Sequence, residues 1–325
     1  MKRSWSITLP ALLAALLSAV PSFAADPYPS KPVRIVVGFP ASGMSDNLAR
    51  VIANALTQQM GQSFIIDNKP GAGTTIAADF VAKSPPDGYT LFLQDLTSHA
   101  ISASLYKKLP FDSVKDFTPI TLVASTPLVM VVNPASNITS VKQLIDMAKA
   151  APGKYNYGSS GIGSILHLSG ELFKQRAGID LVHIPYKGAT GSTTAMMGGE
   201  LTMTFSTMPT AVPLVKSGRI KPIAVTTAKR SGAMPEVPTM EQAGIPDYDV
   251  VLFNGFLAPA GLPPEILAKL RAEIFKAVQT PEVKAFYATI SADLITSSSE
   301  EMAAQIASDI KKYAQAVRDS GAKAD

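Results

Sequence analysis

The stretch Val33-Arg34-Ile35-Val36-Val37-Gly38-Phe39-Pro40-Ala41-Ser42-Gly43-Met44-Ser45-Asp46 decides the fold class. Its valine- and isoleucine-rich start reads as a buried parallel strand, and the proline, serine and glycines after it read as a loop. From about Ser45 to Met60, the residues Leu48, Val51, Ile52, Ala55 and Leu56 recur at i, i+3, i+4, i+7 and i+8, one face of an α-helix. Gly61 stands where a left-handed glycine ends a helix. A strand, a loop and a helix in this order imply a βαβ crossover.

The unit repeats outward from there. Phe64–Ile66 reads as a strand, Asn68-Lys69-Pro70-Gly71-Ala72-Gly73 as a loop and Thr74–Lys83 as a helix, closed by Ser84-Pro85-Pro86-Asp87-Gly88. Further strands are expected at Thr90–Gln94, Ile120–Ala124, Leu128–Val132, Tyr155–Gly158, Leu181–Ile184, Leu201–Phe205 and Ile220–Thr226. Helices fall between them at Val141–Ala148, Ser164–Gln175, Thr190–Met197 and Pro209–Lys216. Val250–Ala258 reads as a last long strand, followed by helices at Pro264–Gln279, Pro281–Ile290 and Glu300–Ser320. The final helix opens on Ser298 and Glu301, a capping-box pair. So many strands exceed one doubly wound sheet of this length, which predicts two α/β lobes, each a mainly parallel sheet flanked by helices. The expected division is 25–125 plus 250–325 for lobe 1 and 126–249 for lobe 2, with crossings near Ser125 and Val250 and a helical tail bracing lobe 1.

Composition narrows the function. The chain has 325 residues, 46% hydrophobic and 17% charged, which is enough apolar material for a sizeable core and too little charge for disorder. It has no cysteine, which removes disulfides, thiolate metal sites and a thiol nucleophile. The three histidines, His99, His167 and His183, are not paired at helical spacing, so neither a metal centre nor a cofactor is expected. Lys2 and Arg3, an apolar run from Ile7 to Val20, and Ser22-Phe23-Ala24 form a secretory leader, with cleavage expected after Ala24 and a periplasmic product. Removing Lys2 and Arg3 with residues 1–24 lowers the formal charge of +4 by two, which speaks against a nucleic-acid partner.

Three loops follow strands and open helices: Phe39–Asp46, Asn68–Thr74 and Gly158-Ser159-Ser160-Gly161-Ile162-Gly163-Ser164. In parallel sheets, ligands bind outside the carboxyl ends of strands, where the first amides of the next helix are unpaired and partly positive. Small residues let an anion approach that backbone, so loops of this kind suit a carboxylate or phosphate. One helix terminus contributes only about 0.3–1 kcal/mol through its dipole, so two must converge for tight binding. The dinucleotide fingerprint fails, because Ile76 and Leu166 stand where its third glycine belongs, and no nucleophile-elbow or Walker pattern occurs. Ser164 and His167, three apart at a helix start, read either as nucleophile and base or as a cap beside a packed histidine. Asp46 reads either as a ligand-orienting carboxylate or as a helix-start acid, and Phe253-Asn254 either as an apolar wall with an amide handle or as a hinge strand. For the far end of a ligand, the candidates are Thr97, Ser98, Thr207 and Asn254.

Several strings together resemble the substrate-binding proteins of tripartite tricarboxylate transporters, the Bug receptor family. They are Tyr28-Pro29-Ser30-Lys31-Pro32-Val33, Phe39–Asp46, Asn68–Gly73, Pro86-Asp87-Gly88-Tyr89-Thr90 and Asp116-Phe117-Thr118-Pro119. Further on come Gly161–Ser164 with His167-Leu168, Ile184-Pro185-Tyr186-Lys187-Gly188, Val237-Pro238-Thr239 and Ala258-Pro259-Ala260-Gly261. The resemblance implies a periplasmic two-lobed "Venus flytrap" that closes on a small aliphatic or aromatic carboxylate and hands it to membrane permease subunits, with no catalytic step. It also implies that the two loops grip the carboxylate, through Phe39, Ala41, Ser42, Gly43 and Asp46 on one side and Ser159, Ser160, Gly161, Gly163, Ser164 and His167 on the other. Tyr186 and Phe253 are expected on the cleft walls. The chain departs from the family pattern at Ser42 and Thr74, where glycine is usual, and at Phe253, where tryptophan is usual. An exported serine hydrolase using Ser164 and His167 is the alternative reading.

Overall fold

The computed structural model describes residues 28–186 and 188–324. The leader with its cleavage after Ala24, and Lys187 in the Tyr186 loop, lie outside the described residues. The first half begins β1 (Val33–Val37), α1 (Met44–Met60), β2 (Phe64–Asn68), α2 (Thr75–Ala82), β3 (Thr90–Asp95) and α3 (Leu96–Leu105). Next come β4 (Phe117–Val132), α4 (Val141–Ala150), β5 (Asn156–Ser159), α5 (Ile165–Ala177), β6 (Val182–Pro185), α6 (Ala189–Met197), β7 (Met203–Thr207), α7 (Met208–Lys216) and β8 (Lys221–Val225). The chain then returns through β9 (Val251–Pro259) to α8 (Pro264–Val278), α9 (Pro281–Ile290), β10 (Asp293–Leu294) and α10 (Ser299–Ser320).

The strands follow the order β2-β1-β3-β9-β4-β7-β5-β6, with β8 and β10 also pairing β4. The first three strands pair in parallel, as do β5, β6 and β7. Parallel pairing is therefore confined to the βαβ parts, and the long strands β4 and β9 run antiparallel to every neighbour they have. One 16-residue strand, β4, replaces the two strands expected at Ile120–Ala124 and Leu128–Val132. It pairs β9 as far as Pro127 and takes up β7 from Leu128 onward. Pro127, a strand breaker in sequence, sits at this change of partner, where a missing amide is tolerated.

The helix α3 has no counterpart in the sequence reading. Leu96, Thr97, His99, Ala100, Ile101, Ser102 and Leu105 are all buried, so no solvent face gives it a stripe. It matters for the architecture, because Ala100, Ile101 and Leu105 share one hydrophobic cluster with Leu128, Phe205, Leu166 and Phe173 of the second half and with Tyr313 and Val317 of α10. The first-half core is separate, with Ile35, Leu48, Ile52, Phe256, Leu270 and Tyr287 between β1, α1, α8 and α9. The expected bracing of the first half by the tail holds for α8 and α9. α10 instead begins against that half, at Met302 and Ile306, and ends in the shared cluster. At 22 residues it is about 33 Å long, enough to span the junction. Among the described residues, no helix is long and apolar enough to cross a membrane.

Candidate functional site

Loop 38–43 leaves the carboxyl end of β1 and opens α1. Its conformation is built around Asp46, which is 1% exposed. Asp46 Oδ2 accepts from the Ser42 amide at 2.8 Å and from Arg50 Nε at 2.9 Å, and Oδ1 accepts from Asn68 Nδ2 at 2.9 Å. Asn68 Nδ2 also donates to the Phe39 carbonyl at 3.1 Å. Burial opposes the charge on Asp46, yet the hydrogen bonds from Arg50, Asn68 and Ser42 hold its carboxyl below the usual value. Both oxygens are occupied, so Asp46 shapes the loop and is not a ligand-facing group. Phe39 is half-buried against the first-half core, whereas Ala41 and Ser42 are exposed and Gly43 is the N-cap of α1. No side chain caps α1, which leaves its first-turn amides to the loop side. Ser42 (φ 68°) and Thr74 (φ 77°) both take a left-handed backbone, and Thr74 Oγ1 accepts from Gln94 Nε2 at 2.6 Å.

Loop 158–164 leaves β5 and opens α5, and histidines hold it. The Gly163 amide donates to His167 Nδ1 at 3.0 Å, and Ser159 Oγ lies 2.7 Å from His183 Nε2. The two imidazoles stack with centroids 3.9 Å apart, and His183 stacks in turn on Tyr157. Tyr157 donates to Glu171 Oε1 at 2.6 Å, as does Lys174 Nζ at 3.1 Å. Burial, helped by the charge of Lys174, pushes both His167 and His183 down to about 4. A neutral His167 is required here, since its Nδ1 is an acceptor. Ser164 is the N-cap of α5; its Oγ accepts the His167 amide and donates to the Gly161 carbonyl at 2.8 Å. The imidazole of His167 is not directed at Ser164, so this pair is a helix cap and not a nucleophile with its base. Gly161 (φ 134°) and Gly163 (φ 75°) need glycine for their backbone, and a Cβ on Gly163 would stand 2.3 Å from Leu105. Ser160 is half-buried, its carbonyl accepting from Gly188, and the Tyr186 amide donates to Ser159.

Both loops adjoin the hydrophobic cluster that contains α3. Met44, the first residue of α1, packs on the cluster that contains Leu105 and Ile165, and Gly163 lies against Leu105. Thr97 and Ser98 are committed elsewhere. Their amides and the Ser98 hydroxyl all go to Asp95, the N-cap of α3, and Thr97 Oγ1 donates to the Val251 carbonyl. Neither has a donor left for a ligand. Thr207 is half-buried at the N-cap of α7, its hydroxyl 3.1 Å from that of Thr210. Phe253 and Asn254 are successive strand residues and point to opposite faces, so they do not form a wall with a handle. Phe253 packs on the cluster that contains Phe92, Met302 and Ile306. Asn254 is fully buried, with both polar atoms unpaired among the described residues. Asn68 and His183, which hold the loops, were not read as site residues. Asn68 stood in a noted string directly after a strand, whereas His183 lies two elements from the loop it supports and carries no local signal.

Comparison with known proteins places this geometry in a family. Residues 48–321 match the family model of the tripartite tricarboxylate transporter family receptor. The chain is 34% identical over 300 residues to protein BugT of Bordetella pertussis, 92% of each chain. It is similar to an R. palustris protein solved with adipate (34% identity, TM-score 0.79, covering 90% of this chain and 98% of the other). It is also similar to MatC of Rhodopseudomonas palustris with bound malate (27% identity, TM-score 0.76, 89% and 100%). The neighbours include periplasmic binding proteins, whose two-lobed architecture this chain shares. The chain belongs to the tripartite tricarboxylate transporter receptor family, whose motifs its sequence carries.

Proposed function

We propose that this protein is an exported, periplasmic solute receptor that captures a small carboxylate between two lobes and delivers it unchanged to the permease subunits of a tripartite transporter. In this reading residues 25–125 with 250–325 form one lobe and residues 126–249 the other. The ligand carboxylate sits between loop 38–43 and loop 158–164, at the Ser160 amide and the uncapped first-turn amides of α1. The observation that carries the reading is that Met44, just after loop 38–43, and Gly163 in loop 158–164 both adjoin the cluster that contains α3, with the N-terminus of α1 uncapped and Asp46 beside it turned inward. An oxyanion supplies what those amides lack, and only closure engages both loops at once. The adipate and malate in related structures support a carboxylate as the ligand class.

A thermal-shift screen over mono-, di- and tricarboxylates tests this. A ligand at 100 times its dissociation constant adds about 2.7 kcal/mol of stability, a clear rise in melting temperature. A panel that moves the transition nowhere defeats the proposal. Recovery of a chemically altered ligand would favour the hydrolase reading.

A further inference from the structure

The strands that cross between the halves carry an unsatisfied polar pair. Asn254 on β9 stands opposite Ala124 of β4, and Thr126 of β4 stands opposite Leu252. Strand alternation therefore puts Asn254 and Thr126 on one face as diagonal neighbours. The two residues are 0% and 1% exposed, yet Asn254 Nδ2, Asn254 Oδ1 and Thr126 Oγ1 have no partner among the described residues. Several polar groups on or beside these strands are paired. Thr121 Oγ1 donates to Ser297, Thr118 Oγ1 to Pro259, Thr226 Oγ1 to Val250 and the Tyr287 hydroxyl to Val123. A buried amide left open at both ends is rare in native proteins and calls for a partner.

The chemistry of that partner follows from the donors and acceptors. An asparagine amide with a threonine hydroxyl beside it offers N–H and C=O together. A carboxylate has acceptors only, so it would satisfy Nδ2 and leave its oxygen facing Oδ1. An ammonium group, with donors only, would leave Nδ2 open. The neighbourhood is also acidic. Asp95 pairs opposite Asn254 across β3 and β9, and Asp309 Oδ2 of α10, also buried, lacks a partner too. Burial raises both carboxyls above their usual range, and Asp309 raises Asp95 further. Lys312, on the same helix, donates to the Asp249 carbonyl.

We propose that Asn254 and Thr126 form the subsite for a neutral group carrying a donor and an acceptor side by side, such as a carboxamide, so that the receptor prefers half-amides of dicarboxylic acids to the free diacids. The inference rests on capture of the carboxylate end by the two loops. A primary carboxamide pairs with Asn254 through two antiparallel N–H···O bonds and closes both open valences.

Calorimetry at pH 7.5 with succinate, glutarate and adipate, their half-amides and the ω-amino acids of equal length tests it. At the best-fitting length the half-amide should bind at least tenfold more tightly than the diacid and the amino acid. Asn254→Leu should erase that preference, weaken the half-amide tenfold or more, and leave butyrate or hexanoate unchanged. The ligand-free melting temperature of Asn254→Leu should be no lower than that of the parent, because leucine replaces an unpaired amide; a purely structural asparagine would lower it. Thr126→Val, close in shape, should weaken the half-amide by a smaller factor, and it decides the matter together with the parent if Asn254→Leu does not fold. A diacid or amino acid that binds as well as the half-amide overturns the inference and spares the receptor reading. A parent protein that binds no carboxylate overturns both.

Discussion

The two loops that face the junction have similar composition and opposite supports. Loop 38–43 is tied by a carboxylate that accepts from Ser42, Arg50 and Asn68. Loop 158–164 is tied by two neutral imidazoles that hold Gly163 and Ser159. A carboxylate held below its ordinary value keeps accepting hydrogen bonds well into acid, whereas an imidazole that must stay neutral stops accepting once it is protonated. The lesson is that the same backbone device is mounted on one support that resists acid and one that yields to it.

Removing the first support should give the largest effect. Asp46→Ala leaves the Ser42 amide and Asn68 Nδ2 without their acceptor and frees Arg50, and should cost about 2–3 kcal/mol, the scale of hydrogen bonds to a charged group. Urea unfolding checks this, and a midpoint unmoved by the change would mean that the loop is held by other contacts. The second comparison keeps the supporting side chains and spoils the backbone of each loop. Ser42→Pro removes the amide that donates to Asp46 at a position with φ 68°, and Gly161→Val imposes a β-branched residue at φ 134°. Each should weaken carboxylate binding at least about 100-fold, or about 2.8 kcal/mol. A Cβ at Gly161 would meet only the Tyr186 carbonyl, at 3.7 Å, so Gly161→Val adds backbone strain of about 1–3 kcal/mol without a clash and should fold with lowered stability. Two variants with parent-like affinity in calorimetry would remove the loops from the site.

Acid should separate the loops more gently. His99, His167 and His183 are each lowered from 6.5 to about 4 by burial. Between those values the unfolded chain takes up protons that the folded chain refuses. Stability is therefore fully present above about pH 6.5 and is lost as pH falls from there toward 4. His167→Asn, whose Oδ1 can take the place of the Nδ1 acceptor without titrating, should flatten that slope, and unfolding at several pH values reads it. An unchanged slope would assign the acid sensitivity to other groups. The smallest effect is expected from Ser42→Gly. It relieves a left-handed serine and should raise stability by up to about 1 kcal/mol while leaving the Asp46 clamp intact. A lower melting temperature would show that the serine side chain supports the loop.

Much of the fold was legible before the structure. The βαβ periodicity located β1, α1, β3, α5 and the three tail helices to within a residue or two, because each has a buried face set by local spacing. The helix α3 was not legible, since burial on nearly every side leaves no period to read. The site divides in the same way. The positions of the loops, their glycines and the Ser164 cap follow from local sequence, as does membership of the family. Which way each polar group turns does not. Asp46 faces inward because Asn68 meets it there, and the Thr97 hydroxyl is spent on the Val251 carbonyl. Phe253 and Asn254 part to opposite faces of β9. Backbone preference acts over a few residues and is written in the chain. The choice of hydrogen-bond partner depends on what packing brings from 20 or 150 residues away, and only the tertiary structure decides it.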